Sequence, residues 1–406
     1  MWESGSAAWA AARNPDADGA AATVPAGTVL YLRLLTPVST KTSKNGQAVS
    51  AVVAREVALP GGVAIPTGAT VKGKIEKSEQ PSRPDQHAEL LLNFSELDIP
   101  SAANLKLDGR LTGVSNARET VQADGTIEGV LISDAPVTLL SGALKKLGAM
   151  DPAIAQEIER QKIDQVDTSI TYAAGTDLQF TLTQPLTVAR LFSTTGPAPL
   201  PPDLSASLAL FLAEAPQRSV SKDNQPGDPV NLVFIGTAQE IEQAFRKAEW
   251  SEPQVKGGKS VADTVRAVMN NEGFGAAPIS DLYLYGRIQD LAFEKMLNTF
   301  NKRHHLRLWK SDVKAPDGRP IWLGAATHDT GIEVRPGVVS HATDPDLDDE
   351  RSQVQADLIG GGSVQAAELV TRPNPLTSGT TATGGAWHTD GRLLTVDLKA
   401  GAAASQ

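Results

Sequence analysis

The 406-residue chain has no cysteine. That excludes disulfides and thiolate-bound metal, and in a chain of this length it fits a secreted bacterial protein that avoids stray oxidation. The chain has no apolar run of about 18 residues, so no segment is expected to cross a membrane as a helix. An excess of positive charge is also missing. The net charge is −10, which disfavours nucleic acid and anionic membrane surfaces as partners. Aromatic residues make up 5% of the chain against 41% hydrophobic, so the cores must rest on Leu, Val and Ala. No Gly-x-Ser-x-Gly elbow offers a serine nucleophile. No His-Glu-x-x-His or similar spacing offers a metal site, and no cofactor is expected.

Against that background the order of the chain is readable. Residues 1–23 are rich in Ala, Gly, Asn and Asp, with Trp2 and Trp9 as their large apolar groups. They read as a flexible leader left after removal of a secretion signal. Residues 24–195 read as an all-β, barrel-like domain. Leu30, Leu32 and Leu34 alternate along one run, and further short runs at 48–54, 70–75, 88–94 and 105–112 are punctuated by Gly, Pro, Asn or Ser. Ala26-Gly27-Thr28-Val29-Leu30 is echoed by Ala174-Gly175-Thr176-Asp177-Leu178. Either this is a common turn-plus-strand, or the late copy pairs beside the early one and closes the barrel. A helical insertion is expected over about 136–165, where Asp151 caps and Pro152 takes the first position.

Residues 196–226 begin with four prolines in seven positions and read as a Pro-rich linker. Residues 227–400 read as a layered α/β (α+β) domain. Strands at 230–236, 282–285, 304–309, 321–326, 367–372 and 393–398 interleave with a helix capped by Thr237, one near 260–271 and one at 346–358.

Two resemblances emerge from these residues. Val24-Pro25-Ala26-Gly27-Thr28, Ile65-Pro66-Thr67-Gly68-Ala69 and Val71-Lys72-Gly73 resemble the β-barrel domain of conjugation-type secretion subunits, over roughly residues 24–132. The likeness lies in turn chemistry and implies a periplasmic barrel-like module. The second is denser in motifs. Gly227-Asp228-Pro229-Val230-Asn231-Leu232, Tyr283-Leu284-Tyr285-Gly286-Arg287-Ile288-Gln289-Asp290, Arg303-His304-His305-Leu306-Arg307-Leu308-Trp309, Trp322-Leu323-Gly324-Ala325-Ala326-Thr327 and Asp344-Pro345-Asp346 with Glu350-Arg351 follow in order. On them residues 227–398 resemble the LssY C-terminal domain family. That family brings no established activity to carry over. In some members the domain follows membrane domains resembling lipid-phosphate phosphatases, which implies a bacterial-envelope setting.

The chemistry concentrates in residues 302–351, which hold four of the six histidines. Strand alternation places Arg303, His305, Arg307 and Trp309 on one face, and His304, Leu306 and Leu308 on the other. The leucines commit their face to the core. His305 between two arginines is then expected to face solvent or a groove suited to phosphate or carboxylate. The alternative is a solvated face whose arginines pair with nearby carboxylates. Gly324-Ala325-Ala326 clears space for a backbone, ring or ligand, and His328 lies just beyond. Asp344 is expected to cap a helix, with Pro345 at its first position and the acids from Asp346 to Glu350 matching the helix dipole. A metal set of His341, Asp344 and Asp346 with His304 or His305 is the weaker alternative. Arg287 and Asp290 are either ligand contacts or a structural clamp.

The candidate ligand-binding set is therefore Arg287, Asp290, Arg303, His305, Arg307, Trp309, Asp344 and Arg351. The candidate catalytic groups are His305, His328 and His341. The arginines are expected to be neutralised by Asp344, Asp346 or Glu350 in preference to an external anion. Two functions follow. One is a periplasmic or secreted binding or scaffold protein with an anion-binding groove in the C-terminal domain, its ligand a small anion or lipid phosphate and its protein partner left open. The other is a hydrolase, for instance a phosphoesterase, using the His, Arg and Asp cluster of residues 303–351. The first is favoured because paired bases and nucleophiles at recognised spacing are missing.

Overall fold

The computed structural model describes residues 21–131 except 61, 84, 100–103 and 116, and residues 168–253 except 190 and 193–196. It also describes residues 281–295, and residues 303–400 except 336–337 and 382–383. The expected insertion at 136–165, the helix near 260–271 and most of the leader lie outside them. The described residues are mostly strand, with three helices among them. They form two compact units, the second of which takes over at Pro197.

In the first unit the leucine alternation does what its period requires. Strand β1 (Val29–Leu34) buries Leu30, Leu32 and Leu34. With β2 (Ala48–Val53), β3 (Thr70–Glu79), β4 (Glu89–Asp98), β5 (Gly109–Val114) and β6 (Asp177–Leu182) it forms an antiparallel sheet in the order β5-β6-β1-β2-β3-β4. Phe94 of β4 meets Phe180 of β6 edge to face, with centroids 6.1 Å apart. Strands so distant in the sheet can touch only if it curls, and the result is a nearly closed barrel. Leu105–Lys106 pairs with β4 and leads directly into β5, narrowing the remaining gap.

The sequence echo proves to be structural. β1 and β6 are antiparallel neighbours, with Leu32 opposite Leu178. Gly27 and Gly175 have φ of 86° and 94°, which favours glycine in both turns. Each turn closes on the other strand. The Gly27 N–H donates to the Leu182 carbonyl at 2.8 Å, and the Gly175 N–H donates to that of Leu34 at 2.7 Å. The end of the expected leader is also built in, because Ala22–Val24 pairs with Leu186–Val188.

The second unit begins with a correction. Residues 202–214, placed by proline content in a linker, form helix α1 (Pro202–Glu214). Proline at the first helical turn needs no hydrogen-bonded N–H, so these prolines start a helix rather than break one. Leu204, Leu208 and Leu212 recur every fourth residue and are buried, each stabilising by about 1.5–3 kcal/mol.

The sheet of this unit contains β7 (Leu232–Ile235), β8 (Leu291–Lys295), β9 (Arg303–Lys314), β10 (Pro320–Arg335), β11 (Val338–Thr343), β12 (Val364–Thr371) and β13 (Arg392–Leu398). Its order is β8-β9-β10-β7-β13-β12, with β11 against the far part of β10. Neighbours are antiparallel except β7 and β13.

Strand β7 is buried on both faces, as its continuous apolar run requires. Val233 and Ile235 cluster with the leucines of α1. Leu232 and Phe234 cluster with Ile241 and Phe245 of α2 (Ala238–Lys247) and with Val354 and Leu358 of α3 (Leu347–Gly360). Thr237 caps α2 as expected, in a reciprocal box with Glu240. Among the described residues no helix is long and apolar enough to cross a membrane.

Candidate functional site

Strand β9 lies between β8 and β10, and the register decides what its charges meet. Arg303 is opposite Asp329, and His305 is opposite both Thr327 and Glu294. Arg303 donates through Nε to Asp329 Oδ2 at 3.1 Å and through Nη1 to Glu294 Oε2 at 3.0 Å. His305 Nε2 sits 3.1 Å from Asp329 Oδ1 and 3.2 Å from Thr327 Oγ1. Arg307 Nη1 donates to Asp228 Oδ2 at 2.8 Å.

The face expected to meet solvent or a groove is therefore buried. Arg303, His305 and Arg307 are 4%, 6% and 4% exposed, and Trp309 belongs to the apolar cluster around α1. Burial pulls the Arg307 pKa down, while the charges of Asp228 and Asp329 oppose the shift. Internal neutralisation holds, but its source is corrected. Asp228, Glu294 and Asp329 supply it, where Asp344, Asp346 or Glu350 was expected. Buried cations left without such partners would be strongly destabilising.

The opposite face carries a second network beside Leu306 and Leu308. His304 Nδ1 lies 2.5 Å from Glu350 Oε2, and its ring stacks on that of His328 with centroids 4.4 Å apart. Burial alone would favour neutral His304, but the Glu350 charge and hydrogen bond outweigh it and raise the histidine pKa. Lys295 of β8 reaches Asp357 Oδ2 at 3.0 Å, and the Trp250 indole N–H donates to the same oxygen at 2.9 Å. Gln353 donates to the other Asp357 oxygen at 3.1 Å.

Sequence reasoning missed Glu294, Lys295 and Asp357. The signal for Asp357 was present: Glu350, Gln353 and Asp357 recur at helical spacing on one face of α3. Glu350 is thus a buried partner of His304, where the sequence read it as one of the acids matching the helix dipole.

The remaining candidates are distributed around the unit. Helix α3 is capped by Asp346, whose side chain accepts from the Asp348 N–H at 3.0 Å, and starts later than the Asp344-Pro345 pair suggested. Asp344 is held in the ladder, its N–H donating to the His328 carbonyl at 2.8 Å. Its side chain lies 3.8 Å from His328 Nδ1. The nearby His328 imidazole, against some burial, lowers the Asp344 pKa. Arg351 clamps Asp390 with contacts of 2.7 and 3.0 Å. Arg287 pairs with Asp290, which also accepts the Lys310 N–H at 2.7 Å.

His341 lies in β11 with its backbone opposite Ile332; its side chain falls outside the described residues. The space left by Gly324 belongs to the core. A Cβ there would come within 2.7 Å of Leu308 Cδ2 and 3.0 Å of Leu232 Cβ.

This geometry defines a mixed-sheet unit with two buried ion networks, one on each face of β9. Residues 212–393 match the family described as the LssY C-terminus. The match begins upstream of the 227 expected from the motifs, so it takes in the end of α1. No curated protein matches the chain. Among solved structures, ComB10 of the Com type IV secretion system of Helicobacter pylori is a distant neighbour, 12% identical over 41% of this chain and 89% of that chain, with a TM-score of 0.24. A likeness of that size carries no argument about function.

Proposed function

We propose that this chain is a periplasmic or secreted binding or scaffold protein whose histidine, arginine and carboxylate networks fix a sheet and do no chemistry. One observation carries the reading: each of these buried β9 cations has a carboxylate of its own. Arg303 has Asp329 and Glu294, and Arg307 has Asp228. His305 faces Asp329 and Thr327 in a site 6% exposed, whereas a general base must reach a substrate proton. The two apolar clusters support a layered α/β unit, with α1 on one face of the sheet and α2 and α3 on the other. With no cysteine the chain has no thiol to oxidise, which suits it to an oxidising, extracytoplasmic setting.

The test is a phosphoesterase assay on the full chain with aryl phosphate mono- and diesters and a panel of divalent metals. Metal content is measured on the same sample by plasma mass spectrometry. No turnover above the blank is expected. Turnover that disappears in His305→Asn, with the fold intact by circular dichroism, would establish the hydrolase instead.

A further inference from the structure

A shallow, half-open cleft lies in the second unit, its roughly 310 Å³ of empty space being largely open to solvent. Its wall includes Gln217, Val230, Leu347, Arg372, Leu376 and Thr389. Arg372 follows β12 and is 5% exposed. Its guanidinium donates to the Leu212 carbonyl at 2.9 Å, to that of Ala215, and to that of Pro216 at 3.4 Å. These contacts lie at the C-terminal end of α1, where the helix dipole offers only part of a negative charge.

Among the described residues no carboxylate pairs with Arg372, and its Nε has no acceptor. Burial accordingly lowers its pKa, opposed by the Tyr285 phenol, but a guanidinium in a protein keeps its proton. Arg303 and Arg307 differ in kind, because each is paired with a carboxylate, and Arg351 is paired with both Asp348 and Asp390.

The other polar groups of the wall are already engaged. Gln217 bonds both Asn374 and Leu376 through their backbones. Asn231 holds both backbone groups of Ala326. Thr389 donates to Asp348 at 2.6 Å, and Arg392 is paired with Asp390. Arg372 alone among these charged groups is buried without a carboxylate partner. Its weakest contact, at 3.4 Å, is at the limit of a hydrogen bond. Val230, Leu347, Pro375 and Leu376 supply an apolar surface beside it.

We propose that this cleft binds a small amphiphilic oxyanion, an alkyl carboxylate or alkyl phosphate, with the anionic head at Arg372 and the carbon chain against Leu347, Pro375 and Leu376. A planar guanidinium fork suits either head. The inference rests on the non-catalytic binding reading above, since the ligand is held and not turned over.

The test is titration calorimetry of the full chain with octanoate, octyl phosphate, inorganic phosphate and octanol. Octanoate and octyl phosphate should each saturate one site, with phosphate and octanol at least about tenfold weaker. Arg372→Lys keeps the charge and loses the fork, and should weaken octanoate about tenfold. Because Arg372 also holds the end of α1, Leu376→Glu provides the second variant. Leu376 is 40% exposed, so this change should leave the melting temperature in place and weaken octanoate about tenfold. No saturable heat at millimolar octanoate or octyl phosphate, equal affinity for octanol, or unchanged binding in Leu376→Glu would overturn the site. Release of phosphate from octyl phosphate would overturn the non-catalytic reading and leave the binding site standing.

Discussion

Arg307 and Asp228 lie 79 positions apart in sequence and form a 2.8 Å ion pair that fastens the segment entering β7 to the middle of β9. The arginine side chain is 5% exposed and the aspartate 15%. Removing one partner leaves the other charge in a poorly hydrated site, so Arg307→Ala should cost about 3 kcal/mol. Replacing both, as Arg307→Met with Asp228→Leu, should recover much of that loss. Denaturant unfolding of the single and double variants checks this. A double variant as unstable as Arg307→Ala would mean that the pair itself supplies the stability.

The His304–Glu350 contact predicts a pH dependence with a definite sign. The folded histidine pKa is raised, burial notwithstanding, by the Glu350 charge. Its contribution is therefore fully present below the unfolded histidine value of about 6.5 and is lost as pH rises through the higher folded value. Lys295, Asp357 and His328 also face this site, with Lys295 paired to Asp357. Melting temperatures of the native chain and Glu350→Gln should differ most below about pH 6.5 and converge only as pH passes the raised folded value. A gap that widens with pH would refute the assignment.

Asp390 gives the opposite sign. The Arg351 hydrogen bond first, and then the Arg392 contacts, hold its pKa well below the usual carboxylate range despite some burial. A depressed carboxylate stabilises above its unfolded value of about 3.9, and that contribution is lost as pH falls toward the folded value. In Arg351→Ala the Asp390 carboxyl should titrate nearer the ordinary value, and acid unfolding should begin at higher pH. Carbon-detected NMR of the aspartate carboxyls reads the first effect directly.

What could be read from sequence was whatever a local period or a cap determines. Leu30, Leu32 and Leu34 announce a half-buried strand, and Thr237 with Glu240 announces a helix start. The paired glycine turns of the barrel were visible as an echo. Alternation also separated the two faces of β9 correctly.

It could not say that both faces are covered, because that depends on which residues arrive from elsewhere. Asp228, Asp329 and Glu294 reach Arg303, His305 and Arg307 through strand register, and register is a property of the pairing. The expected groove failed for that reason. Gly324 illustrates the same point: the empty space that a small residue implies is filled by Leu308 and Leu232.

Helix α1 supplies the last prediction, since proline content and structure disagree there. A linker over residues 196–226 would be cut by proteases along its length. The structure buries Leu204, Leu208 and Leu212 in a cluster with Val233, Ile235 and Leu323, and Arg372 holds the carbonyls at the end of the helix. Cleavage requires an extended, accessible backbone, so the segment Pro202–Glu214 should resist trypsin-independent proteases such as thermolysin while the native fold persists. Leu208 is fully buried, and Leu208→Ala should cost about 2–5 kcal/mol. That variant should also become cleavable within α1, because losing the central leucine lowers the energy of local opening. Mass mapping of early thermolysin fragments from the native chain and from Leu208→Ala decides the matter. Rapid cleavage of the native chain between residues 202 and 214 would restore the linker and remove α1 from the core of the second unit.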